Sequence, residues 1–265
     1  MTLPFKLGKT PARPWQAPGN KFRFETYLDH RAFFRGAHAA ALPSVPPVFG
    51  HQALIGARDW GLFGNDQYGD CVWAGAAHET MMLAKEAGNT VVFNDAAVLS
   101  DYSAVTGFKI SDPSTDQGTD IQVAAAYRRK TGITDTSGRR HTIAAFLALE
   151  PGNLTHLYQA TYLFGAVGIG MQLPQSALDQ FDHGQPWNVV QGSPNGGGHY
   201  VPLLGRTAAG LAVVSWGDTQ FMSEAFLMTY CDEAVAYVSQ ECLVNQKSPE
   251  GFDYAALLAD LKELA

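Results

Sequence analysis

The sequence predicts an α+β fold, and three observations carry that prediction. Segments with helical spacing come first and segments with strand alternation come later, an order that does not suit a doubly wound sheet. Short turns bearing Gly and Asp separate the segments. The chain of 265 residues is 46% hydrophobic and only 16% charged, which is enough apolar content to bury a substantial core and too little charge for bulk disorder.

Residues 1–50 stand apart from the rest. Seven of the fourteen prolines (Pro4, Pro11, Pro14, Pro18, Pro43, Pro46, Pro47) lie here, so long helices and central strands are not expected before Gly50. A short helix over Tyr27–Ala41 is the exception, since Phe33, Phe34 and His38 can share a face. Trp15, Phe22, Phe24, Tyr27, Phe33 and Phe34 are unfavourable in water. The segment therefore reads as an arm that packs over the domain or reaches a neighbouring subunit.

Residues 51–265 read as the domain itself. Cys71–Ala87 carries small and apolar residues at helical spacing and stops at Gly88. Further helices are expected over Asp95–Thr106, Asp120–Lys130 and Thr155–Phe164. Ala166–Leu173 alternates like a strand and stops at Pro174. His199–Leu204 and Leu211–Trp216 read as paired strands around an Ala208-Ala209-Gly210 turn, and Ala234–Ser239 as another strand. Tyr254–Leu264 closes the chain as an amphipathic helix.

Charge and motif content exclude several function classes. A net charge of −7 with 18 Lys+Arg does not suit a nucleic-acid binder, which needs a basic face. No apolar run approaches the ~20 residues of a membrane span. The stretch Met1–Gly8 lacks the apolar core of a signal peptide. Three cysteines make a poor disulfide framework, and the expected compartment is the reducing cytoplasm. Cys231 and Cys242 lack zinc-site spacing and read as core cysteines. No HExxH, Walker-type loop or dinucleotide glycine pattern is present, and no metal or organic cofactor is implied. Arg128-Arg129-Lys130 reads as a solvated helix end.

Three segments carry chemistry. In Gly64-Asn65-Asp66-Gln67-Tyr68-Gly69-Asp70-Cys71, a polar turn delivers a cysteine to a helix start. Free N–H groups and a partial positive charge there lower a thiol pKa and can hold an oxyanion. Asp70 is expected to cap the helix. In Asn195-Gly196-Gly197-Gly198-His199, glycines allow close approach of another chain and a histidine opens an apolar strand, as a general base would. Val213-Val214-Ser215-Trp216-Gly217-Asp218 closes the next strand. His78 lies seven residues beyond Cys71, about 10 Å along the helix, too far for a direct nucleophile–base pair.

Gly-Asp-Cys-Val-Trp-Ala at a helix start, then Gly-Gly-His, then Ser-Trp-Gly resemble the papain-like cysteine peptidase superfamily in order. Cys71 and His199 are 128 residues apart (199 − 71), close to that family's separation of ~130–150. The resemblance spans about residues 58–240. Lys6-Leu7-Gly8-Lys9 and Asn65-Asp66…Gly69-Asp70-Cys71…His78 also resemble a loosely characterised bacterial and phage-associated branch.

The resemblance implies a two-lobed fold. A helical lobe at about 58–150 carries the Cys71 helix, and an antiparallel β lobe at about 160–245 carries His199, with a cleft between them. It implies Cys71 as nucleophile, His199 as general base and the Cys71 N–H as half of an oxyanion hole. Trp216 would shield His199, and the arm would lie over the cleft as a pro-segment does.

Two positions depart from the family pattern. The oxyanion-hole glutamine expected six residues before the cysteine is Asn65 here, with Gln67 four before, and either amide can donate. Val214 stands where the family has its orienting Asn, leaving Ser215, Asp218, a backbone carbonyl or a Cys–His dyad. The implied function is a cysteine-dependent peptidase or amidase acting on a peptide or small amide or ester by acyl-enzyme chemistry, with hydrolysis or acyl transfer as the outcome. The alternative, favoured by Val214 and the displaced Gln67, is a papain-fold structural or binding protein, phage-associated in one version.

Overall fold

A computed structural model describes residues 5–15, 23, 24, 27, 44–241, 248, 250, 253, 256 and 259. The helices expected over Tyr27–Ala41 and Tyr254–Leu264 fall outside the described residues except at isolated positions, as does Cys242.

Strand β1 (Phe49–Gly50) precedes the helical part. Helix α1 (Cys71–Glu86) is small-residue-rich and buried on nearly every side, as a central helix must be. Its first turn is set by the Trp73 and Ala74 N–H groups donating to the Asp70 carbonyl at 2.7 and 3.0 Å. Helix α2 (Asp95–Thr106) is capped by Asn94, which accepts from the Ala97 N–H, and ends at Gly107 with φ 77°. Helix α3 (Ile121–Lys130) is capped by Asp120, which accepts from Gln122 and Val123.

A two-stranded ribbon follows, β2 (Ile133–Thr134) with β3 (Arg140–His141). Then come β4 (Ile143–Leu149), α4 (Leu154–Phe164), β5 (Val167–Pro174), α5 (Gln175–Asp182), β6 (Asn195–Thr207), β7 (Gly210–Ser215), β8 (Asp218–Met222), α6 (Glu224–Tyr230) and β9 (Cys231–Ser239). The main sheet runs β4-β9-β5-β6-β7-β8, with β1 added against β6. Its pairings are antiparallel, so the fold is α+β as the sequence predicts.

Helices α1–α3 cover one face of the sheet. Val72, Ala76, Tyr102, Ile121 and Ala124 pack there with Tyr200, Val235 and Tyr237. Helices α4 and α6 cover the other face, where Leu157, Leu163 and Phe226 meet Ile169, Val201 and Leu203. β4 belongs to the sheet by its pairing with β9, so the helical part ends before Ile143 and not near 150. Its sequence, IAAFLAL, is apolar throughout and shows no alternation for a sequence reader to find.

Arg128 corrects one expectation. It is buried, not solvated, and donates to Glu79 of α1 at 2.7 Å with its guanidinium 3.9 Å over the Tyr237 ring. Tyr200 of β6 donates to the same carboxylate at 2.6 Å. This network ties α1 and α3 to the sheet where Cys71 and His199 are carried. Gly75 allows the close approach, since a Cβ there would meet the Tyr200 ring at 2.5 Å.

Candidate active site

Cys71 is the first residue of α1 and is buried. The loop before it is folded tightly, with Phe63 at φ 57° and Gly64 at φ 94°. Gln67 and Tyr68 both donate to the Gly64 carbonyl at 2.9 Å. Asp116 anchors the loop by accepting from the Gly69 N–H at 3.1 Å and from the Tyr102 hydroxyl at 2.6 Å. Trp73 Nε1 reaches Thr119 Oγ1 at 2.9 Å, which fixes α1 against the segment leading into α3.

The helix start does not lower the Cys71 pKa here. Burial pushes the thiol up to about 12, against the N–H groups of Tyr200, Gly8 and Val72 that favour the thiolate. Desolvation thus outweighs the helix-end field. Asp70 also departs from expectation. It occupies the cap position but makes no side-chain capping bond, and burial holds its carboxyl well above the usual range. The capping role passes to its backbone carbonyl.

His199 sits on β6 opposite Met171 and is fully buried. Its Nε2 is 2.9 Å from Ser215 Oγ. The Trp216 ring stacks on it with centroids 4.6 Å apart. Burial lowers its pKa to about 3, so the ring is neutral. The other nitrogen, Nδ1, is buried and makes no hydrogen bond among the described residues, so the ring is not bonded to the Cys71 thiol. The two are nonetheless neighbours through the chain, because Tyr200, joined to His199 by one peptide bond, packs in the same cluster as Cys71.

Strand alternation explains Val214. Its side chain packs on the opposite side with Trp60, Met82, Leu83 and Leu204, which leaves Ser215 to face His199. Asp218 pairs with Ser215 across the β7–β8 hairpin and shows no bond to His199 among the described residues. Asn65 is buried, its amide nitrogen donating to the Tyr68 carbonyl at 3.2 Å. Gln67 is exposed and turned to Asp66 at 3.4 Å, outside the buried surroundings of Cys71. The turn on the Gly64 carbonyl points it outward.

His78 packs between Trp60 and Phe63 and donates through Nε2 to the Gly61 carbonyl at 2.9 Å. Burial lowers its pKa to about 4. It is a neutral structural histidine. Cys231 is half-buried, its Sγ 3.5 Å from the Glu233 carbonyl.

The arm completes the site. The Gly8 backbone N–H is close enough to the Cys71 thiol to favour its thiolate. Lys9 N–H donates to Gly198 O at 2.9 Å, Thr10 N–H to Thr119 O at 3.1 Å, and Thr119 N–H to Gly8 O at 2.7 Å. Residues 8–10 therefore bridge the strand of His199 and the segment entering α3. Phe5 stacks on Trp216 with centroids 4.5 Å apart. Glycines make this fit: a Cβ on Gly8 would lie 1.9 Å from Gly69 O, and one on Gly198 would lie 2.0 Å from Lys9 O.

Sequence reasoning did not find the group around Lys9. Its side chain is fully buried, with Nζ 2.8 Å from Asp232 and 3.7 Å from Glu233. The only available signal was Gly8-Lys9 within an arm already expected to pack. A second group, His51 with Glu86 and Glu250, has metal-ligand composition. His51 contacts them at 2.7 and 2.8 Å, and hydrogen bonds to Glu250 and Glu86 raise its pKa to about 9. Without a metal the three side chains form an ion triad, the imidazole lying between two carboxylates. Glu86 ends α1, about 22 Å along the helix from Cys71.

No protein-family model matches the chain, and no curated protein matches it. Solved structures do. Xylellain, a cysteine protease from Xylella fastidiosa, superposes with a TM-score of 0.62 at 12% identity, covering 89% of this chain and 97% of its own. Procathepsin B S9 from Trypanosoma congolense gives 0.55 at 12% identity over 88% and 86%. The Carica candamarcensis cysteine protease CMS1MS2 gives 0.54 at 13% identity over 74% and 99%. The chain has a papain-like fold. Among the described residues, no helix is long and apolar enough to cross a membrane.

Proposed function

We propose that the chain is a cysteine-dependent peptidase or amidase held latent by its own N-terminal segment. The observation that carries this reading is the seating of residues 8–10 between Cys71 and the His199 strand, on a papain-like fold. The Gly8 N–H favours the thiolate, and the Gly8 carbonyl is engaged by Thr119. The arm is held across the site by hydrogen bonds through its Gly8 carbonyl and its Lys9 and Thr10 N–H groups.

When the arm leaves, water enters and the thiol loses the desolvation that holds its pKa up. With Nε2–H donating to Ser215, the Nδ1 lone pair of His199 accepts the Cys71 proton. The thiolate attacks the carbonyl carbon, and the Cys71 N–H holds the oxyanion, joined by the Asn65 amide once it gives up the Tyr68 carbonyl. His199 then protonates the leaving amine, and water or a second amine resolves the thioester. Ser215 is a positioning residue in this scheme, and Trp216 keeps the imidazole dry.

The test is peptide hydrolysis by a full-length variant whose arm is displaced, with Cys71→Ala as control. Hydrolysis that disappears in Cys71→Ala supports the reading. A displaced arm, a freely alkylated Cys71 and no amide or ester turnover would overturn it in favour of a binding scaffold.

A further inference from the structure

The Lys9 side chain is an unusual group for an N-terminal arm to bury in the domain. Its ammonium is fully enclosed, 2.8 Å from Asp232 Oδ1, 3.7 Å from Glu233 Oε2 and 3.1 Å from the Thr10 carbonyl. The acids stand on β9, the walls come from β5 and β6, and all of these are domain elements outside the arm. Space is cleared by Gly170, where a Cβ would lie 2.3 Å from Lys9 Cε. Asp232 is held in place without the arm, since Gln172 Nε2 donates to it at 2.9 Å. The pocket is therefore built by the domain and only filled by the arm.

A buried cation is tolerated when acidic partners and hydrogen bonds surround it, and removing the cation leaves the partner charges uncompensated. Once the arm leaves, Asp232 and Glu233 face the vacated groove without a counter-ion. Burial, Asp120 and Asp232 raise Glu233 to about 7 and only Lys9 opposes them strongly, so a cation in the groove keeps this carboxylate ionised and an apolar side chain leaves it protonated. The groove thus favours an incoming cation over an apolar side chain. Lys9 directly follows Gly8, which packs on Gly69 two residues before Cys71, so the pocket lies on the same stretch of arm that covers the cysteine loop.

We propose that the Asp232–Glu233 pocket selects a lysine or arginine side chain of the peptide that replaces the arm, close to the bond presented to Cys71. This rests on the peptidase reading above and adds the substrate class to it. Lys9 is the internal stand-in for that side chain.

The experiment measures protection of Cys71 from iodoacetamide, read on the Cys71 peptide by mass spectrometry, so it does not depend on turnover. The protein is the full chain carrying Gly8→Val and Lys9→Met, which no longer seats its own arm. Synthetic peptides of residues 5–13 carry Lys, Arg, Met or Glu at the position of Lys9. The Lys and Arg peptides are expected to protect at concentrations about tenfold or more below the Met and Glu peptides, as a charge-assisted contact predicts. Adding Asp232→Asn and Glu233→Gln brings that ratio to about one.

A cis version covers the case in which that variant does not fold: Lys9→Arg keeps Cys71 protected, whereas Lys9→Met raises alkylation about tenfold. Equal protection by Met and Lys peptides, or equal alkylation of the two single variants, overturns the pocket proposal. Basic preference in protection with no hydrolysis of any peptide upholds the pocket and overturns the peptidase reading instead.

Discussion

Gly8→Ala tests whether the arm covers Cys71 in solution. The added Cβ would fall 1.9 Å from the Gly69 carbonyl oxygen, against backbone that is anchored by Asp116 and cannot swing aside. The arm must lift at this point. Lifting breaks the bonds Lys9 N–H to Gly198, Thr10 N–H to Thr119 and Thr119 N–H to Gly8. At about 1 kcal/mol net for each, the covered state loses ~3 kcal/mol, and the uncovered population rises about a hundredfold. Alkylation of Cys71 by iodoacetamide should accelerate by that order at neutral pH. Its pH profile should also change. In the wild type, a thiol pushed up to about 12 gives no inflection below pH 9, whereas the uncovered helix-start thiol should titrate below the ~8.5 of a free cysteine. Ala12→Ser, at an exposed arm position, is the control and should behave as wild type. Wild-type alkylation in Gly8→Ala, with an unchanged melting temperature, would refute the covering role of the arm.

Other substitutions probe the histidine, the core network and acid stability. Ser215→Ala leaves His199 Nε2 buried without its partner, so it should destabilise the fold by about 1–3 kcal/mol in denaturant titration and slow any arm-released turnover. Val214→Asn, which introduces the residue that papain-like peptidases carry before Ser-Trp-Gly, should lower stability by about 1–3 kcal/mol and not improve turnover, because that side chain faces Trp60, Met82 and Leu204. Glu79→Gln strips the buried Arg128 of its counter-charge and should cost about 3–5 kcal/mol, read as a fall in melting temperature. His78 is buried neutral with its pKa lowered to about 4, while the unfolded side chain protonates near the usual 6.5. The unfolded state therefore takes up the proton first, and this group's stability contribution is lost as pH falls from about 6.5 towards 4, at up to ~1.4 kcal/mol per pH unit. His78→Phe should flatten that part of the stability–pH curve relative to wild type; an unchanged slope would show that His78 is not held neutral.

What was legible in the sequence follows from where the physics is local. Helical spacing and stops are local, so α1, α2 and α3 were read nearly to the residue, α1 with its stop at Gly88, and the structure adds Asn94, Asp120 and Gly107 as the caps. β5, β6, β7 and β9 were read from alternation and turn residues. β4 was not, because a strand buried on both faces has no alternation, and only its pairing with β9 identifies it. The short helix α5 was missed for the converse reason: its eight residues follow Pro174 without a side-chain cap. Arg128 was misread as solvated because its partner, Glu79, lies 49 residues away on another helix.

The same contrast governs the candidate site. Cys71 at a helix start and His199 after a glycine run are local patterns, and a single sequence displays them. Which neighbour of Trp216 faces His199 is a matter of strand parity, and the family residue at Val214 was a poor guide to it. The protonation of Cys71 is less local still. Helix-end field and backbone N–H groups both favour the thiolate, yet burial of the site, to which residues 8–10 of the arm are bound, outweighs them. In the proposed latent peptidase, reactivity at this cysteine is a property of two segments more than sixty residues apart, and the energy separating inert from reactive thiol is the energy that seats the arm. That energy comes from a few backbone hydrogen bonds and the buried Lys9, so a peptide able to reproduce them is also able to displace the arm. Latency and recognition would then draw on the same contacts.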